Sequence, residues 1–108
     1  MNASTDVPLT ITPEAAARIA ELGVQKEFEQ MIAYVREMVP ELTAIEVVRE
    51  LPYDTDWEPI SITAYSDQVF ATGDNTSAKL AKWRTETFPP QVLEHLVLLL
   101  SPGRPYAG

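Results

Sequence analysis

The chain has no cysteine, one histidine and four glycines among its 108 residues. Without cysteine there can be no disulfide, thiolate nucleophile, zinc ribbon or cysteine-held iron–sulfur cluster. The absence fits a reducing compartment, and a cytoplasmic location is expected. The single histidine, His95, rules out multi-histidine metal sites. No Gly-x-Ser-x-Gly elbow accompanies it, so it reads as a helix residue and not as a general base. Gly23, Gly73, Gly103 and Gly108 stand too far apart to build a phosphate-cradling or dinucleotide-binding loop. Basic residues are also scarce: 8 Lys and Arg face 16 Asp and Glu, for a net charge of -8. Nucleic acid and anionic membranes, which call for clustered cations, are therefore not expected partners. No apolar run approaches the ~20 residues of a membrane span. Residues 1–8 lack the basic and apolar regions of a signal peptide.

What the chain does contain is the material for one modest core. The apolar share of 45% is ordinary for a globular protein, and the length suits a single domain. Residues 1–8 and 102–108 read as tails, and 9–101 as the domain. Thr12-Pro13-Glu14 is a helix start: a hydroxyl cap, a proline suited to the first turn and an acid at the positive dipole end. Ala16, Ile19, Ala20 and Leu22 then form an apolar stripe, and Gly23 breaks the helix. Phe28, Met31, Ile32, Val35, Met38 and Val39 repeat at helical spacing up to Pro40.

The period then changes. Ile45, Val47, Arg49 and Leu51 alternate with Ala44, Glu46, Val48 and Glu50. A second run sets Ile60, Ile62 and Ala64 against Ser61, Thr63 and Tyr65. Two such runs joined by a short turn predict an antiparallel hairpin. Val69–Thr72 fits either a short third strand or the first turn of a helix. Leu80, Trp83, Arg84 and Thr87 return to helical spacing. After Phe88-Pro89-Pro90, a last helix is predicted through Val92, Leu93, Leu96, Val97 and Leu100, apolar nearly all round. The expected fold is α+β, a small antiparallel sheet packed on helices in the order α-α-β-β-α-α. No internal repeat is visible.

The hairpin turn holds the one clustering of aromatic and acidic side chains: Tyr53, Asp54, Asp56, Trp57 and Glu58. These are the candidate binding residues, because contacts concentrate on loops carried by a rigid scaffold. Alternating carboxylates suit calcium or magnesium, but the glycine and distal glutamate of a calcium loop are absent, so no metal or cofactor is expected. Lys79, Lys82 and Arg84 gather around Trp83, which reads as the solvated side of a helix. Leu9–Leu22 resembles the opening of the A-type iron–sulfur carrier proteins. The match covers only those residues, and the cysteines that hold that family's cluster are missing, so its function does not carry over.

A non-catalytic interaction or accessory protein is the expected function. Its partner would be another protein or a second copy in a homodimer, built on a sheet edge or on the face of Leu96, Leu99 and Leu100. One alternative is a small metal-dependent hydrolase using Asp54, Asp56, Glu58 or Asp67. The other is an acidic antagonist of a basic partner, antitoxin-like or a nucleic-acid mimic.

Overall fold

A computed structural model of the chain describes residues 7–39, 41–50, 58–67 and 75–102. In chain order the elements are β1 (Leu9–Ile11), α1 (Pro13–Leu22), α2 (Gln25–Met38), β2 (Leu42–Arg49), β3 (Ile60–Ser66), α3 (Thr76–Thr87), α4 (Pro90–His95) and β4 (Leu96–Pro102). The class is α+β, as expected, but the order and the sheet differ from expectation. The antiparallel β2/β3 pair lies at the centre of a mixed four-stranded sheet, β1-β2-β3-β4. Its neighbours pair in parallel, β1 with β2 and β4 with β3. Parallel neighbours need a long crossover, and each crossover here is a helix pair: α1 and α2 on one side, α3 and α4 on the other. The two halves thus repeat a β-α-α-β path that the sequence itself does not repeat.

Local chemistry explains the first half. Thr12 accepts a hydrogen bond from the Ala15 amide at 3.2 Å, and Pro13 opens α1. Gly23 ends α1 with φ 70°, in the left-handed region that glycine enters without strain. α1 is rotated from expectation. Ala15 and Ile19 are buried whereas Ala16 and Ala20 are exposed, because alanines on both sides gave the apolar stripe no clear centre. α2 buries Phe28, Met31, Ile32 and Val35 of the face read from its sequence, and Val39 is buried just beyond it, but Met38 is exposed. Tyr34 of α2 stacks on Trp83 of α3, with ring centroids 3.8 Å apart and planes 4° from parallel. Phe88 meets the same indole edge-on at 5.3 Å. This aromatic trio fastens the two helix pairs together.

The register sets the core. Ile45 pairs with Ala64 and Val47 with Ile62 across the central strands, and Ile60 pairs with Leu96 of β4. All six are buried, and they share one face of the sheet with the inward residues of the helices. The opposite face carries Glu46, Val48, Ser61, Thr63, Tyr65, Val97 and Leu99. Leu51, the last residue of the first alternating run, and residues 69–72, the candidate third strand, lie outside the described residues.

The largest correction concerns the C-terminal segment. Residues 96–102 are a strand, not the second half of a helix, and the helix begun at Pro90 ends at His95. A short continuous apolar run fits a buried parallel strand as well as an enclosed helix. Pairing with β3 along all seven residues decides between them. Pro102, placed in the tail from sequence, closes the strand.

The two readings separate by mutation. In a strand Leu96 points inward and Leu99 outward, whereas in a helix the two would share a face. Leu96→Ala should cost about 2–5 kcal/mol and Leu99→Ala less than about 1 kcal/mol in urea unfolding. Equal losses would reject the strand.

Candidate functional site

Four of the five residues singled out in the hairpin turn, Tyr53, Asp54, Asp56 and Trp57, lie outside the described residues. The fifth, Glu58, is half-buried beside the end of β2. Its carboxylate accepts a 2.8 Å hydrogen bond from the Arg49 guanidinium. That bond holds the Glu58 carboxyl below, and the Arg49 guanidinium above, their ordinary values. Glu58 is thus a latch at the end of the β2/β3 pair where Arg49 meets Ile60. On the outer face of the same strands the Tyr65 hydroxyl donates to Glu46 at 2.9 Å, and this bond raises the Tyr65 pKa. Among the described residues no three His, Asp or Glu side chains gather closely enough to hold a metal ion.

The basic residues around Trp83 part company. Lys79 and Lys82 stay in solvent, flanking a shallow groove of about 280 Å³ floored by Tyr34 and Trp83 and closed by Glu86. Arg84 turns the other way. Its Nη2 donates to the carbonyls of Leu93 at 2.9 Å and Leu96 at 2.7 Å. These carbonyls lie where α4 runs out and β4 begins, so the guanidinium serves as a C-cap from a neighbouring helix. Burial pulls its pKa below the usual value, though arginine stays charged in proteins. Arg84 also lines a small cavity of about 80 Å³ between α3 and β4, with Ser77, Leu80, Ala81, Leu98 and Leu100.

β4 itself is the feature that the sequence reading missed. It is seven residues long, uncharged throughout, and among the described residues the last strand of the sheet. Leu99 is 48% exposed, one of three large hydrophobic residues so exposed among the described residues. Edge strands are ordinarily blunted by shortness, charge, proline or a bulge. The other edge obeys this rule, since β1 has three residues and lies between Pro8 and Pro13. β4 has proline only at its last position. The signal was present as five consecutive apolar residues, Leu96 to Leu100.

No family model, curated protein or solved structure matches the chain. No helix among the described residues is long and apolar enough to cross a membrane. The described residues offer three surface features: the groove at Tyr34 and Trp83, the Arg49–Glu58 pair and the outer edge of β4.

Two measurements test this geometry. Because the Glu58 pKa is depressed, its contribution to stability is present above the ordinary value near 4.5 and is lost as pH falls through the folded value. Glu58→Gln should therefore flatten the acid limb of the stability profile and leave its neutral plateau nearly parallel to wild type. Arg84→Met should strand the Leu93 and Leu96 carbonyls at a cost of about 2 kcal/mol. Hydrogen exchange should localise the loosening to the α4–β4 junction.

Proposed function

We propose that this is a non-catalytic interaction protein whose contact surface is the outer edge of β4. The observation that carries this reading is the contrast between the two edges of one sheet. β1 is short and flanked by prolines, whereas β4 offers seven apolar or uncharged residues. An unblunted edge presents a row of backbone donors and acceptors, and an added strand satisfies them. Side chains of alternate residues then supply selectivity. On the helix face these are Leu98 and Leu100 at the rim of the α3–β4 cavity, and on the open face Val97 and Leu99.

The acidic surface suits this role without being the contact. Net charge keeps a small protein soluble and discourages indiscriminate association. Backbone pairing at an uncharged edge is short-ranged and survives salt. An antagonist working through its carboxylates would release its partner as the charges are screened.

Tagged wild-type chain and a Leu99→Lys variant, each exposed to cell lysate at low and at high salt, test the proposal. Leu99 is half in solvent, so the variant should keep the fold and the melting temperature to within a few degrees. Partners held by the edge, an untagged second copy of this chain added to the lysate included, should be retained by wild type at both salt levels and lost by the variant. Capture unchanged by the substitution, or abolished by salt alone, would overturn the reading in favour of another surface.

A further inference from the structure

Resting on the edge reading, we infer that the strand which occupies β4 is β4 of a second copy. It runs antiparallel about a two-fold axis that passes midway between the two copies of Leu99. The result is a continuous eight-stranded sheet with the helices of both copies on one side.

Three observations select this occupant. The first is charge. Each copy carries -8, so most surfaces of two copies repel each other. β4 from Leu96 to Pro102 contains no charged residue, which makes it a line along which two copies can approach without opposing carboxylates.

The second is symmetry. Antiparallel pairing of identical edges in one sheet requires a two-fold axis perpendicular to the sheet, so each residue meets one whose number gives a constant, even sum. Leu96 already has its N–H on Val92 and its carbonyl on Arg84, and Pro102 has no N–H, so the overlap that counts runs from Val97 to Ser101, and its central residue is Leu99. Leu99 is also the large side chain that the isolated chain leaves 48% exposed. Length and exposure, which are independent, thus choose the same register.

The third is the fit of neighbours. In this register Leu98 lies opposite Leu100 of the second copy, on the helix face. Cross-strand Cβ atoms lie ~4.5–5.5 Å apart. Both leucines line the cavity beneath α3, so pairing brings apolar side chains to the rim of that cavity in each copy. Pro102 falls at the end of the ladder, opposite Leu96, where its missing N–H interrupts nothing central.

A residue on a two-fold axis meets its own copy, and this gives a test that few other arrangements would pass. Leu99→Lys sets two ammonium groups face to face and should weaken self-association by about tenfold or more; Leu99→Glu does the same with carboxylates. Mixing the two variants should restore pairing as a heterodimer, read by analytical ultracentrifugation. The chain has no cysteine, so Leu99→Cys supplies a single thiol. A short bis-maleimide should join two such chains, while Lys82→Cys, on the exposed side of α3, should stay uncrosslinked. For wild type the melting temperature should rise with protein concentration, as mass action demands of a dimer. Added salt should tighten the dimer by screening the repulsion of two acidic copies.

Wild type that sediments as a monomer up to submillimolar concentration would overturn the self-pairing. It would leave the edge reading intact, because the lysate capture by wild type and Leu99→Lys is scored separately. A dimer that survives Leu99→Lys and gives no Leu99→Cys crosslink would place the contact elsewhere and reject the register. Open-ended assembly instead of a closed dimer would reject the two-fold arrangement.

Discussion

Everything in this fold depends on the antiparallel pairing of β2 with β3. Among the described residues β1 is bonded only to β2 and β4 only to β3, so there the two halves join in the sheet through that ladder alone. Its register sends Ile45, Val47, Ile60, Ile62 and Ala64 to one face, where residues of all four helices converge. A slip of one residue would turn those side chains out and bring Glu46, Val48 and Thr63 in. The Arg49–Glu58 ion pair and the Tyr65–Glu46 hydrogen bond guard this register on opposite faces. Each is half-solvated, so each contributes less energy than alignment.

The central strands were legible in the sequence because they alternate cleanly, and one buried face forces alternation. The start of α1 and the break at Gly23 were equally legible, since caps are local chemistry. The outer strands were not. β1 is three residues long, too short to show a period, and exists because Leu9, Thr10 and Ile11 complete the β2 ladder. β4 failed for a different reason. Leu96 to Leu100 is apolar at every position, so neither period 2 nor period 3.6 stands out. A helix already begun at Pro90 invited continuation through the run. The deciding contact, Ile60 with Leu96, lies thirty-six positions apart in sequence and is invisible to a local window.

The same difficulty governs the candidate site. Charged and aromatic clusters announce themselves in a sequence, and the turn from Tyr53 to Glu58 did so. An open strand edge does not, because it is defined by the neighbour that is missing and not by the residues present. Nor could sequence spacing tell that Lys79, Lys82 and Arg84 would separate. Two of them reach solvent beside the Tyr34–Trp83 stack, while Arg84 crosses to the end of α4 and holds two of its carbonyls. A guanidinium with two backbone acceptors works as a structural strap, and it fixes the point from which β4 departs.

That strap bears on how the β4 edge is held. An apolar strand at the rim of a sheet is dangerous mainly when it frays or slides, since a mobile edge offers many registers. Here its first residue is fully buried, and the carbonyl of that residue is held by Arg84. Its whole length is registered on β3. The edge is therefore held in one register, presenting one row of backbone groups and one protruding leucine. Around it the acidic surface imposes a long-range repulsion that only a well-matched, short-range contact can overcome. If the edge is the contact surface proposed above, acidity and the apolar edge would act as two halves of one selectivity device: charge would reject loose encounters, and a fixed ladder of hydrogen bonds would reward the partner that arrives in register.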